Sequence, residues 1–420
     1  MVPDRPAFGL CESHAHLGAT GRAMSMCDLS TARTATEMLE TISAFAPDAS
    51  GWVLAHGARP EAWETPEWPS REELDAAAGN RPAMVWCFDY HAILASTAAM
   101  EHAGLNAHRK IPRGKVELDA LGDPTGVVLE RAAWLMWAAV PSPSKADRVE
   151  HVAAALSHLA DLGFAQVHDL KAELWLGPVL AQLEREDRLP CRVKLFPLVE
   201  NLSGVAASSA DWVSDSISLG GGKLFTDGTF NSRTAWMLEP YADGSADHPC
   251  GMPMVTQAGI EHAVRTCDSL GLPLAAHAIG DAAVRAVLDA IETVQPSARG
   301  QRIEHAELID EADVPRFAQL GVVCSPQPCH LLADIEALHR AVPDRLDRVM
   351  PLRELVDSGL VPGESLIFGS DIPIVRADPE DSILAATARR RADMPESESI
   401  SPTQSLSDDE AWRCFLASPV

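Results

Sequence analysis

The 420-residue sequence is short of positive charge, with 34 Lys and Arg against 60 Asp and Glu and a formal net charge of −26. Phosphate backbones demand clustered cations, so this deficit argues against a nucleic-acid partner. An acidic small molecule in a local pocket stays compatible with it. No run of eighteen apolar residues occurs, and no membrane partner is expected. Residues 1–18 lack a basic stretch followed by an apolar one, so no secretory signal is expected and the chain reads as soluble and cytoplasmic. The nine cysteines contain no CxxC pair and are odd in number, which fits neither a disulfide framework nor a zinc knuckle. They are expected as free thiols that pack as small apolar groups.

What is present is an alternation of short apolar runs with amphipathic helical stretches. Strands are expected at 8–13, 164–168, 191–198, 223–227, 272–277, 301–305, 321–325 and 366–370. Between them lie helical patterns such as 146–162, closed by Gly163, and 282–294, and Ser407 with Glu410 forms a capping box for a last helix. Eight strands separated by helices predict an α/β fold, a (β/α)8 barrel of the TIM type, rather than an open sheet. About 150 residues separate the first strand from the second. The simplest organisation is a barrel built from 1–50 and 141–420 with an insertion, 51–140, after the first strand and over the barrel mouth. Further short strands are expected inside the insertion at 51–56, 83–89 and 114–118, and 391–404, rich in Ser, Pro and Glu, as an exposed loop.

Polar residues stand where these strands stop. Glu12-Ser13-His14-Ala15-His16 closes the first strand, whose two-residue period sends His14 and His16 to one face, as two ligands of one metal require. Alone the motif is weak, since 15 histidines produce an HxH by chance about 0.5 times in such a chain. His277 ends Leu-Pro-Leu-Ala-Ala-His, His305 ends Arg-Ile-Glu-His, and Asp371 follows Leu-Ile-Phe-Gly-Ser. Each taken singly has a bland reading as a hydrogen-bonded strand-end residue. Together they bring four imidazoles and one carboxylate to the mouth of the barrel, a donor set that suits zinc, iron, manganese or nickel. Lys223 opens Lys-Leu-Phe-Thr-Asp-Gly-Thr after three glycines. It is either an ordinary solvated or paired lysine or, in this constellation, a neutral amine that adds carbon dioxide to form a carbamate bridge between two cations.

Ser-His-Ala-His-Leu, Lys-Leu-Phe-Thr-Asp-Gly-Thr with Asn-Ser-Arg-Thr-Ala, His-Ala-Ile-Gly-Asp, Arg-Ile-Glu-His-Ala and Phe-Gly-Ser-Asp-Ile-Pro resemble the amidohydrolase superfamily. More narrowly the chain resembles its YtcJ-like (amidohydrolase 3) branch of metal-dependent hydrolases, from about residue 8 to 415. Phe88-Asp89-Tyr90-His91 and Asp123-Pro124-Thr125-Gly126-Val127 resemble that branch's inserted region. The resemblance implies His14, His16, His277 and His305 as metal ligands, Lys223 as the carbamate bridge, and Asp371 as both ligand and catalytic proton acceptor. Zinc is then the expected metal, one or two per chain. The branch usually carries a small β-sandwich from segments flanking the barrel, and both halves are missing from this sequence, through a barrel-only form or a truncated reading frame. His91 and His330 are candidate substrate-binding residues, each balanced by a structural reading. Asp227 and Arg233 are expected as a buried pair supporting the Lys223 strand, His168 as core or support, and Cys11 as packing.

These expectations lead to a hydrolase that cleaves a C–N bond, amide, N-formyl or cyclic amide, of a small molecule. Two other readings compete. The same metals could drive isomerisation, hydration or decarboxylation, or the chain could be a regulatory protein that kept the barrel without turnover. The oligomeric state is open, a homo-oligomer included.

Overall fold

The computed structural model describes residues 9–416 apart from 49, 61–62, 89, 91, 107–108, 112–113 and 245–247. His91 and Asp89 therefore lie outside the described residues. The chain divides into two compact units, Met1–Thr20 with Val152–Val420, and Gly21–His151.

The described strands are β1 (Leu10–Ala15), then β2 (Cys27–Asp28), β3 (Val53–Ala58), β4 (Ala83–Cys87), β5 (Ala92–Ala95), β6 (Gly114–Leu118) and β7 (Pro124–Glu130). Beyond them come β8 (Phe164–Leu170), β9 (Arg192–Phe196), β10 (Ile217–Leu219), β11 (Gly222–Phe225), β12 (Leu274–Ala278), β13 (Arg302–His305) and β14 (Val323–Ser325).

In the unit that begins and ends the chain, two four-stranded sheets are parallel throughout, ordered β1-β8-β9-β10 and β11-β12-β13-β14. Every residue of β1, β12 and β13 is buried, as parallel strands covered on both faces require. Helices such as Lys145–Asp161 and Asp281–Val294 supply the connections, and Gly163 follows the first of them in the left-handed conformation (φ +85°) expected of a helix stop. Gly220 and Gly221 separate β10 from β11. A Cβ on Gly220 would come within 2.6 Å of the Phe196 ring and one on Gly221 within 2.4 Å of the Pro273 carbonyl, so only glycine permits the step from pairing with β9 to pairing with β12. Isolated parallel bridges join Leu198 to Lys223, Cys324 to Leu366 and Ala15 to Ile372.

The expected strand at 366–370 is not a regular one. Its amides scatter, Ile367 to Cys324 O, Phe368 to Cys414 O and Ser370 to the Glu12 carboxylate, so no continuous ladder forms. The segment 391–404 is also not simply an exposed loop. Ile400, Ser401 and Gln404 are buried, and the Arg389 guanidinium holds the Ile400 carbonyl at 2.9 Å. The Ser407–Glu410 capping box is present at the start of helix Asp408–Arg413.

The Gly21–His151 unit is built on a six-stranded mixed sheet, β2-β3-β4-β5-β7-β6, parallel at its β2-β3-β4 side and antiparallel beyond. Two apolar clusters line it, one around Trp86, Met100 and Met136, the other around Met38, Leu74 and Val85. The expected insertion, 51–140, falls within this unit, which extends to both sides because β2 joins the same sheet through β3. Cys11, Cys27, Cys191, Cys267, Cys324, Cys329 and Cys414 are buried free thiols. Among the described residues no helix is long and apolar enough to cross a membrane.

Candidate metal centre

The candidate ligands converge where β1, β12 and β13 end. The His14 and His16 rings lie 5.6 Å apart, His14 and His305 4.9 Å, and His277 and His305 4.4 Å, centre to centre. Asp371 Oδ1 lies 2.9 Å from His16 Nε2 and 3.5 Å from His14 Nε2. Lys223, on β11 and almost wholly buried, brings Nζ within 3.5 Å of His14 Nε2. One donor atom each from His14, His305 and Asp371 lies within 4.8 Å of the others.

The backbone is held hard at these positions. His305 and Asp371 are non-glycine residues at positive φ, +71° and +65°, and Ala306 follows at +46°. Such conformations cost about 1–3 kcal/mol each and persist where surroundings over-determine them, characteristically at functional sites. At 369–371 the surroundings are visible. A Cβ on Gly369 would meet His14 N at 2.5 Å, the Glu12 carboxylate accepts from both His14 N and Ser370 N at 2.9 Å, and Asp371 N donates to His14 O at 2.7 Å. β1 and the Asp371 segment are thereby fixed against each other.

Burial and neighbouring charge set the protonation states. Burial, reinforced by the Lys223 charge, pulls His14 down to about 4 and His277 to about 3 from the ordinary 6.5. His305 is driven well below its ordinary value by burial and by the surrounding imidazoles and Lys223. These rings are neutral at pH 7, the form that binds a metal. Burial opposes ionisation of Asp371, yet His14 and His16 hold its carboxyl well below the usual range. Burial also brings Lys223 down to about 8, against the pull of Glu304 and Asp371. Among buried polar atoms, His305 Nδ1 and Asp371 Oδ1 make no hydrogen bond. The close approach of His16 to Oδ1 is thus a contact without hydrogen-bond geometry. Two unsatisfied donor atoms among neutral imidazoles and an ionised carboxylate are what a divalent cation would satisfy.

His330 differs from these rings. It lies 5.8 Å from His305, with Nε2 3.2 Å from Ser370 O and Nδ1 3.5 Å from Glu307 Oε1. Burial alone would lower it, but Glu307 and Asp371 raise it to about 9. His305, Glu307 and His330 also present donor atoms within 4.8 Å, but both His330 nitrogens already face acceptors.

The expected Asp227–Arg233 pair does not form. Asp227 instead accepts Ile279 N, Gly280 N and Trp236 N at 2.9–3.1 Å, placing its carboxylate at the start of helix Asp281–Val294 where three backbone donors can serve it. Arg233 pairs with Asp243. His168 packs as expected of a supporting residue, with Nδ1 3.0 Å from Arg302 Nη1, and Cys11 lies buried beside it at 3.7 Å. The sequence reading missed Glu304, Glu307 and Gln327, all buried near the imidazoles. Glu304 and Glu307 were within reach, since each flanks His305 in a run otherwise reading as buried strand and turn.

The profile of the amidohydrolase family matches residues 8–415. The chain belongs to the amidohydrolase family. It is 26% identical to an inferred amidohydrolase, YtcJ of Bacillus subtilis, over 97% of this chain and 78% of that protein. It is 25% identical to the N-substituted formamide deformylase of Arthrobacter pascens, over 98% and 78% respectively. Among solved structures it resembles an uncharacterized metal-dependent hydrolase of Pyrococcus horikoshii, with a TM-score of 0.79 and 26% identity over 96% of this chain and 78% of that one.

Proposed function

We propose that this chain is a metal-dependent hydrolase of a C–N bond, an N-formyl or other amide of a small molecule. One observation carries the reading: three buried neutral imidazoles and His16 surround an ionised Asp371 whose Oδ1, like His305 Nδ1, lacks a hydrogen bond. The similarity to an N-substituted formamide deformylase supports the bond type. The parallel order of the two sheets, with the bridges Leu198–Lys223, Cys324–Leu366 and Ala15–Ile372, supports a (β/α)8 barrel in which β10 and β11 count as one strand broken at Gly220 and Gly221, 366–370 is the eighth element, and the expected insertion lies between β1 and β8.

His14, His16, His277, His305 and Asp371 would hold the cation, zinc being the metal expected from the family resemblance, and Lys223 as a carbamate would bridge to a second. When bound, a divalent cation acidifies water toward neutrality and polarises the carbonyl under attack. Asp371, ionised in spite of burial, takes a proton from the attacking water and delivers it to the departing nitrogen. The depressed basicity of Lys223 supplies the neutral amine that adds carbon dioxide and releases one proton. The His330 cation, its two nitrogens turned to Ser370 O and Glu307, would act on a substrate oxygen through its charge, and His91 stays a second candidate for holding substrate. Elemental analysis of protein purified without chelator, followed by turnover assays on N-formyl and N-acyl amines, tests the proposal. Bound divalent metal with release of formate or a carboxylate is expected, and the absence of metal would sink it.

A further inference from the structure

Arg302 and Glu304 lie one strand period apart on β13 and both are buried, an ionic pair with no place in the proton transfer. Arg302 grips the carboxylate with two bonds, Nε to Oε1 at 2.6 Å and Nη2 to Oε2 at 3.0 Å. Nη2 also reaches Ser13 O and Ser325 Oγ at 3.0 Å, and Nη1 lies 3.0 Å from His168 Nδ1. One guanidinium therefore ties β1, β8 and β14 to its own strand. Glu304 Oε2, so anchored, stands 2.8 Å from His14 Nδ1.

An ionised carboxylate only accepts, so the proton between these atoms belongs to the imidazole. A neutral imidazole has one such proton, which leaves Nε2 with its lone pair. Nε2 is the nitrogen that faces Lys223 Nζ and Asp371 Oδ1, both at 3.5 Å. Gln327 Nε2 also approaches Nδ1, at 3.2 Å, while bonding Ser325 O at 2.8 Å, and the shorter charge-assisted contact to Glu304 takes the proton.

We propose that Arg302 and Glu304 are positioning residues that lock His14 in its Nδ1–H tautomer, so that Nε2 is presented to a cation before any cation binds. The proposal rests on the metal-site reading above, but the tautomer is a property of the metal-free chain and is measured there. A ligating histidine held by a carboxylate in this way typically loses about 10–100-fold in metal affinity when the carboxylate is changed.

The test is 15N imidazole NMR on the full, metal-free chain, with the His14 signals assigned by their loss in His14→Gln. A protonated Nδ1 and a bare Nε2 are expected, and an Nε2–H ring would overturn the proposal. Glu304→Gln keeps the volume and removes the charge. Its Zn2+ affinity, measured by competition with a chromophoric chelator, should fall about 10–100-fold with the circular dichroism spectrum unchanged. Arg302→Lys, which keeps the charge but loses the fork, should fall less. Unchanged affinity in Glu304→Gln would overturn the lock while leaving the metal site standing. A wild-type chain that binds no Zn2+ yet shows the Nδ1–H tautomer would overturn the metal reading instead. Should Glu304→Gln not fold, the wild-type spectrum decides.

Discussion

The ends of β1, β12 and β13 and the neighbouring Glu307–His330 corner bury histidines equally deeply and treat them in opposite ways. His14 and His277 drop to about 4 and 3, while His330 rises to about 9. Burial pushes all of these rings toward the neutral form, so burial cannot be the difference. Neighbours are. His14 and His277 face the Lys223 charge, which at His14 outweighs the charge of either the Asp371 or the Glu304 carboxylate, whereas His330 faces the Glu307 and Asp371 carboxylates. The rings of one corner are neutral, as the proposed cation site requires, and the ring of the other is itself cationic.

The largest break in this comparison is at Asp371, the carboxylate against which the imidazoles pack. Asp371→Asn keeps the shape and loses the proton acceptor, so kcat on a verified N-formyl or N-acyl substrate should fall by about 10²–10⁴ while much of the metal stays bound. His14→Ala should behave differently, losing metal first and activity in consequence. Near wild-type turnover in Asp371→Asn would require another base.

Lys223→Ala comes next in size. If Lys223 carries a carbamate, the bridging oxygens go with it, the metal content falls by one cation per chain, and small carboxylic acids restore part of the activity according to their size. An unmodified lysine predicts unchanged stoichiometry and no response to added acid. Metal counting on the variant separates the two.

Much of the candidate metal corner was legible because strand-end polar residues interrupt apolar runs. His14, His277, His305 and Asp371 each follow or end such a run, and they meet within a few ångströms. The Glu307–His330 corner was half legible: His330 stood out as a histidine after Pro326-Gln327-Pro328, but nothing local announced that a glutamate two residues past His305 would face it. The same limit explains Arg233, whose partner Asp243 sits ten residues on, beyond the span of any strand or helix pattern. Elements held by long-range contacts also escaped. The strand Ile217–Leu219 is three residues long, and 366–370 fails as a regular strand because the Glu12 carboxylate takes an amide that a ladder would use.

The two corners should also show opposite pH dependence in the metal-free protein. The folded values of His14 and His277 lie below the ordinary 6.5, so the unfolded chain binds more protons and these rings cost stability as pH falls from 6.5 toward 3. His330 has a folded value above 6.5, so its contribution is complete below 6.5 and is lost as pH rises through about 9. Glu12 and Asp227, raised to about 8 and 7 by burial, favour the acidic side and overlap both windows. The signs are therefore read from differences in urea midpoint between wild type and His277→Gln or His330→Gln. The His277 difference should change below pH 6.5 and the His330 difference between 6.5 and 9; the reverse assignment would refute the neighbour account.

The smallest and most discriminating change is Glu307→Gln, which removes the anion from His330 while leaving the proposed ligands untouched. Burial is then opposed by Asp371 without Glu307, and His330 should titrate below 9, shifted toward the behaviour of His277, in an NMR titration of the ring. Metal content should not move, because His330 Nε2 already faces Ser370 O and Glu307 serves the ring rather than a cation. A substrate oxygen attracted by the His330 charge would lose that attraction, so KM should rise by about tenfold with kcat little changed. If metal were lost with Glu307→Gln, the donor atoms of His305, Glu307 and His330 that gather within 4.8 Å would be a cation site in their own right, and the division between the two corners would fall.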